Sequence, residues 1–98
     1  MAKSLFTTPV HPGLVLKDQM EAVGLSANAL GLALGVPAGR IGQIIKGNRS
    51  ITADTAIRLG EYFTLTAETW MRLQANYDLA ALEEEQGEAI RKQVRIPA

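Results

Sequence analysis

The sequence predicts an all-α fold of five helices, followed by a short extended or strand-like C-terminal tail. Apolar residues recur at the helical spacings of three and four along most of the chain. Residues that favour helix N-caps stand before three of these segments, at Ser26, Thr52 and Thr66. Alternation typical of a strand is confined to the tail, residues 87–98. These three observations set the fold class.

The first helix is predicted to begin near Pro12 and to end before Gly24, a residue that commonly terminates helices. We expect this helix to pack across the two helices that follow it. Its apolar residues are Leu14, Val15, Leu16 and Met20.

Two short helices joined by a tight turn are predicted in the core segment 26–46. Gly35 tolerates the left-handed conformation that ends the first helix, and the fixed φ of Pro37 suits the first position of the second. The turn is too short for an antiparallel hairpin, so the helices must cross steeply, as in a helix-turn-helix. Gly47 is expected to end the second helix. The apolar faces consist of Ala29, Leu30, Ala33 and Leu34 in the first helix and of Ile41, Ile44 and Ile45 in the second.

The fourth helix is predicted to follow the N-cap Thr52, with Asp54 near the positive end of its dipole. Its inward-facing residues are expected to be Ala56, Ile57, Leu59 and Phe63.

The fifth helix is predicted to run from Ala67 to about Glu85, and Gly87 is expected to end the helical pattern. At about 1.5 Å per residue it would span roughly 28 Å, which is longer than a monomer of this size needs. This surplus suggests a partner. Its apolar stripe consists of Trp70, Leu73, Tyr77 and Leu82.

Composition limits the classes of function. The 98 residues, 47% of them hydrophobic, suit a single domain over residues 1–98. With no cysteine and a single histidine, we expect no disulfide, no metal site and no cofactor. The apolar runs are too short to cross a bilayer, and the first 13 residues lack the apolar core of a signal peptide, so a cytoplasmic protein without a membrane association is expected.

The net charge is zero, but the charges are segregated along the chain. Four basic residues and one acidic residue lie between 26 and 60, whereas seven acidic residues and one basic residue lie between 61 and 88. The basic part therefore suits phosphates, while the acidic part suits a basic partner.

The second helix of the pair is predicted to enter a DNA major groove. Arg40 can form a bidentate pair with guanine or bind a phosphate, and Gln43 can bridge N6 and N7 of adenine. The alternative is that both are solvated surface side chains. Gly39 and Gly42 weaken the helix, which leaves open that it becomes firm only on DNA. The residues expected to face the bases are Pro37, Ala38, Gly39, Arg40 and Gln43.

Phosphate contacts are expected from Lys46, Asn48 and Arg49, which follow this helix, and from Ser26 at a helix N-terminus. Alternatively, Asn48 is a left-handed turn residue after Gly47, and Ser26 serves only as a cap.

Several motifs make the chain similar to the HigA antitoxins within the Cro/repressor-like (XRE) helix-turn-helix class. The likeness covers roughly residues 9–82 and rests on VHPGLVLKD, on LSANALGLALGVPAGRIGQIIKGNRSITADTAIRLGEYF and on WMRLQANYDL. The resemblance implies a homodimer that binds double-stranded operator DNA, represses its own operon and neutralises a HigB-like, RelE-type mRNA-cleaving toxin by direct binding. The chain departs from this class at Ala38 and Gly39, where such readers usually carry hydrogen-bonding residues. We therefore expect few direct contacts with bases and a contribution of DNA shape to specificity.

The remaining candidates each have a structural alternative. Trp70, Leu73 and Tyr77 are expected in the dimer interface or the core. The acidic run 83–85 is either a toxin contact or a solvated face. His11 suits a capping or packing role, since no nucleophile motif accompanies it. No enzyme motif or small-molecule site is present, and the alternative function is a stand-alone transcriptional regulator without a toxin partner.

Overall fold

The computed structural model of the chain describes residues 10–97. Within that range the chain forms five α-helices and no strand, which confirms the predicted fold class. None of these helices has the length and apolarity needed to cross a membrane. The described part does not include residues 1–9 of the segment that lacks a signal-peptide core, nor Ala98 of the predicted tail. The helices are α1 (Pro12–Val23), α2 (Ala27–Leu34), α3 (Ala38–Ile45), α4 (Ala53–Tyr62) and α5 (Ala67–Gln93).

The predicted N-caps are confirmed for three helices. Each hydroxyl oxygen accepts a hydrogen bond from the backbone N–H three residues later, at 3.1 Å for Ser26, 3.4 Å for Thr52 and 3.1 Å for Thr66. The capping role of His11 is also confirmed, because its Nδ1 accepts from the backbone N–H of Gly13 at 2.9 Å. Side chains therefore satisfy N–H groups that the first turns of these helices leave unpaired.

The core lies where α1 packs on α3 and α5, α2 on α3 and α4, and α4 on α5. α1 approaches α3 so closely that a Cβ added to Gly13 would stand 1.9 Å from the carbonyl oxygen of Ile44. Burial of these apolar side chains is the main stabilising contribution to the fold. The buried residues are Leu16, Met20, Leu30, Leu34, Val36, Ile41, Ile44, Ile51, Ala56, Leu59 and Trp70.

Two residues expected on apolar or inward faces, Ala33 and Ile57, are exposed instead, as is Leu14 among the apolar residues of the first helix. In α2, Gly31 makes the contact with the chain after the turn, since a Cβ added to Gly31 would meet the carbonyl oxygen of Val36 at 2.8 Å. The chain after the turn therefore packs on Gly31 and leaves Ala33 outside. Ile57 is 65% exposed because the buried face of α4 is centred on Thr55, Ala56 and Leu59.

An extended or strand-like tail from Gly87 was predicted after a helix ending near Glu85, and both the position of this boundary and the strand alternative were wrong. α5 is 27 residues long and ends at Gln93. The described residues after it, 94–97, have no regular structure. A helical glycine costs about 1 kcal/mol relative to alanine, and the helix formers around Gly87 offset this cost. The side chains of Glu83 and Arg91 also form an ion pair across Gly87.

Trp70 belongs to the core of the protomer and not to an interface. Its side chain is fully buried, so it offers no surface to a partner, which corrects its assignment to the dimer contact. Leu73 packs on the core and is half-buried. The ring of Tyr77 meets that of His11 edge to face, with 4.9 Å between ring centroids. The amino-terminal half of α5 is thus held by the rest of the protomer.

Candidate nucleic-acid interface

The turn between α2 and α3 has the predicted geometry. Gly35 ends α2 with a φ of 75°, a conformation that favours glycine. The next residue, Val36, is buried and donates its N–H to the carbonyl of Gly31 at 2.9 Å. Pro37 stands one position earlier than expected, as the N-cap of α3. The tight turn and the buried Val36 fix the direction in which α3 leaves the core.

The exposed side of α3 follows from its buried side. Ile41 and Ile44 are fully buried, and at about 100° per residue the opposite side of the helix contains Gly39, Gln43 and Lys46. All three residues are exposed. We call them the outer face of α3. Its only long side chains are those of Gln43 and Lys46.

The five residues expected to face bases are placed differently from one another. Gly39 and Gln43 lie on the outer face, and Pro37 is exposed at the start of the helix. Ala38 is half-buried beside α2, with its backbone N 3.1 Å from the position of a Cβ added to Gly31. Arg40 is half-buried at the flank that faces α4. The structure therefore gathers Gly39, Gln43 and Lys46, with Arg40 at their edge.

Arg40 shares a carboxylate with a second arginine. Its Nη1 donates to Oδ1 of Asp54 at 3.2 Å, and Nε of Arg58 donates to the same oxygen at 2.7 Å. The hydrogen bond from Arg58 is the main cause that lowers the pKa of Asp54 below its ordinary value, and the contact with Arg40 lowers this pKa further. The carboxylate is thus charged at neutral pH. From the sequence, Asp54 was assigned only an interaction with the dipole of α4. Its spacing of four from Arg58 also indicated the ion pair between these two residues.

The loop after α3 presents the predicted phosphate-binding residues to solvent. Lys46, Asn48 and Arg49 are exposed, and in residues 10–97 their side chains make no hydrogen bond or ion pair. Gly47 alone takes the left-handed conformation here, with a φ of 80°, so the left-handed alternative for Asn48 was wrong. The described residues therefore leave two positive charges unpaired, Lys46 on the outer face and Arg49 in the loop that follows it.

Gln74 of α5 fixes the far end of this loop. Its Oε1 accepts from the backbone N–H of Ile51 at 2.7 Å, and its Nε2 donates to Asp78 at 2.9 Å. Gln74 and Ile51 are both buried. Sequence reasoning missed this role, although Gln74 lies in the WMRLQANYDL motif. The basic loop is thus held between α3 and α5.

Ser26 is exposed at the start of α2, and its hydroxyl is engaged in the cap described above. The geometry therefore establishes the capping role, while a phosphate contact of this residue stays a prediction.

Comparisons with known proteins agree with the helix-turn-helix fold. A helix-turn-helix family model matches residues 16–70. Virulence-associated protein I of Dichelobacter nodosus is 44% identical over 77 residues, which cover 78% of this chain and 71% of that protein. An addiction module antidote protein of the HigA family from Coxiella burnetii is 40% identical, with a TM-score of 0.85 over 91% of this chain and 98% of that one. The antitoxin HigA of Pseudomonas aeruginosa, solved with the higBA promoter, is 38% identical, with a TM-score of 0.86 over 93% of this chain and 100% of that one.

Proposed function

Because the chain belongs to the helix-turn-helix family and has HigA antitoxins among its structural neighbours, we propose that it is an antitoxin that represses its own operon. The observation that carries this proposal is that the exposed outer face of α3, which includes Lys46, continues into a loop with the exposed cation of Arg49. A helix that enters the major groove beside a loop that follows the phosphates needs this arrangement. The HigA neighbour solved with promoter DNA supports it. The protein would act in the cytoplasm, where the operon lies.

The roles on DNA divide by position. Gln43 reads a base edge from the outer face, and Arg40 reads guanine or binds a phosphate from its rim. Gly39 and Pro37 let the start of the helix approach the bases, while Ala38 contributes less because it is half-buried, with its backbone against Gly31 of α2. The residues that bind phosphates are Ser26, Lys46, Asn48 and Arg49.

The DNA-binding proposal is tested by titrating the DNA upstream of the chain's own gene, and a random duplex, at several salt concentrations. Lys46→Ala and Arg49→Ala should weaken both complexes and reduce the salt slope by about one unit for each phosphate that is no longer bound. Gln43→Ala should instead reduce the preference for the native sequence. Lys92→Ala is the matched control, since it removes an exposed positive charge at the far end of α5. Wild-type behaviour of all three variants would refute the interface.

We propose that two copies pair through an apolar groove between α4 and α5. Its large apolar side chains are those of Ile57 and Met71, which are exposed in the protomer. Glu68 and Arg72 also line it, so a two-fold axis through the groove could place each residue beside the opposite charge of the other copy. The other lining residues are Ala53, Ala56, Ala67 and Ala75.

This groove replaces the dimer surface expected from the sequence. At about 100° per residue, Leu73 lies about 160° and Tyr77 about 120° around α5 from Met71, and they contact the core and His11 instead. A copy seated on the groove therefore would not reach them. Leu79 and Leu82, which are exposed further along α5, extend the apolar surface of the groove, so Leu82 does not belong to the stripe of Trp70, Leu73 and Tyr77.

Analytical ultracentrifugation at micromolar concentration tests this interface. Ile57→Glu should convert a dimer into a monomer, because it places a charge at the centre of the apolar contact. Val23→Glu is the matched control, since Val23 is a similarly exposed helical residue at the end of α1. A wild-type monomer, or an Ile57→Glu dimer, would refute the groove as the interface.

The toxin contact is proposed on the acidic part of α5. Glu83, Glu84, Glu85 and Glu88 are exposed on a helix that has left the core, and a basic HigB-like ribonuclease would be attracted to them. Copurification with the product of a neighbouring short reading frame tests the partnership. Loss of that complex in Glu85→Lys, but not in Glu61→Lys on α4, would support the surface. A gene neighbourhood without such a frame would favour the stand-alone regulator.

A further inference from the structure

Asp54 lies between two arginines that belong to different helices. It stands in the first turn of α4, and its carboxylate accepts hydrogen bonds from Arg40 of α3 and from Arg58, one turn later in α4. Arg58 has another partner as well, because its Nη1 donates to the carbonyl oxygen of Leu34 at 2.8 Å. Arg40, Asp54 and Arg58 together connect the end of α2 with α3 and α4, beside the outer face.

The two arginines use the carboxylate unequally. Arg58 donates to both oxygens, at 2.7 Å through Nε and at 3.5 Å through Nη2. Arg40 makes one contact with Asp54, at 3.2 Å. A guanidinium has five N–H donors, so Arg40 retains four that no described residue accepts. One negative charge also cannot neutralise two cations. Arg40 is therefore held in place but remains available to bind an anion or a base.

We propose that Asp54 is a positioning residue that holds the guanidinium of Arg40 at the rim of the outer face for sequence-specific contact with DNA. This inference rests on the proposed function. The side chain of Arg40 is 25% exposed, so it already lies against the protein and loses less rotamer freedom on binding than a free arginine would. A fixed guanidinium fork also matches the two acceptors of guanine at only one register.

The negative charge of Asp54 has the opposite effect on affinity that does not depend on sequence. A carboxylate close to DNA repels phosphates, so removing it should strengthen binding to any duplex. Positioning and repulsion can therefore be separated. The first changes the ratio of affinities for native and random DNA, whereas the second changes both affinities together.

The test is a double-mutant cycle of Arg40→Ala and Asp54→Asn, measured on the promoter fragment and on a random duplex of equal length. Asp54→Asn should strengthen random binding a few-fold and should lower the promoter-to-random ratio about tenfold, the loss expected when one base contact is disordered. Arg40→Ala should lower the ratio by a similar factor. The double variant should lose no more than the worse single variant, since both changes remove the same contact.

Two further variants separate positioning from a purely structural link. Glu61→Gln removes one negative charge elsewhere on α4 and should leave the ratio unchanged. Asp54→Glu keeps a carboxylate and should recover part of the ratio, whereas a purely structural role would not give such a recovery together with a non-additive cycle. All titrations are run well below the melting temperature of each variant.

The outcomes distinguish this inference from the proposed function. If the wild-type protein does not prefer its promoter, both fail. If it prefers the promoter but Asp54→Asn keeps the wild-type ratio, or the two losses multiply in the double variant, Asp54 does not position Arg40 and the repressor role stands.

Discussion

The two sides of α3 differ more than those of any other short helix in the described fold. Its inner side carries Ile41 and Ile44, which are fully buried, whereas its outer face carries the side chains of Gln43 and Lys46 beside a bare Gly39. The residues that stabilise the core and those proposed to contact DNA are therefore on opposite sides of α3. A substitution on one side should change the free energy of unfolding, and one on the other should change binding.

The largest expected effect tests the inner side. Ile41→Ala removes a fully buried side chain and should lower the free energy of unfolding by about 2–5 kcal/mol, measured by urea denaturation. The matched control is Leu32→Ala on α2, where the side chain is 86% exposed and the change should be within about 0.5 kcal/mol. Similar losses in both variants would show that the core is not organised around α3 as described.

A smaller effect is expected where the outer face continues into the basic loop. Gln74→Ala leaves the buried N–H of Ile51 without its acceptor and should cost about 1–3 kcal/mol of unfolding free energy. Hydrogen exchange at Ile51 should accelerate because this contact fixes the end of the loop. Gln86→Ala on the exposed part of α5 is the control. Unchanged exchange at Ile51 would mean that Gln74 does not hold the loop.

The distance along the chain between two interacting residues explains which contacts the sequence can predict. The caps at Ser26, Thr52 and Thr66 depend on residues three positions apart, so local pattern identified them. The contact between Gln74 and Ile51 joins residues 23 positions apart and leaves no periodic signal.

The end of α5 was missed for a related reason. Ile90 and Val94 are four positions apart, a spacing that suits a helix as well as the alternation of a strand. Gly87 favoured the wrong choice, because a glycine marks a helix end only when it adopts a positive φ, and Gly87 does not.

Part of the candidate site could be predicted from the sequence and part could not. The outer face could be predicted because it is the complement of an apolar pattern that places Ile41 and Ile44 inside. The pairing of Arg40 with Asp54 could not, because it depends on how α3 meets α4. Periodicity thus indicates which side of a helix is free, but not which polar residues on its edge are already engaged.

The smallest effect concerns the glycines of α3, and its sign is opposite to that of the core variants. A Cβ added to Gly39 or Gly42 would meet no atom within 4 Å, so each change to alanine should stabilise the free protein by about 0.5–1 kcal/mol through helix propensity. Gly31→Ala is the control, because its Cβ would lie 2.8 Å from the carbonyl oxygen of Val36 and should destabilise the protein. Thermal denaturation measures all three.

The promoter affinity of Gly39→Ala then shows whether the absence of a side chain at this position contributes to DNA binding. If α3 lies in the groove with its outer face inward, the methyl group of Gly39→Ala separates the helix from the bases, and promoter affinity falls although the protein is more stable. A variant that is more stable and binds equally well would show that the groove does not contact this end of the helix. Recognition would then rest on Gln43 and on the rim around Arg40, and only the second half of the outer face would contact DNA.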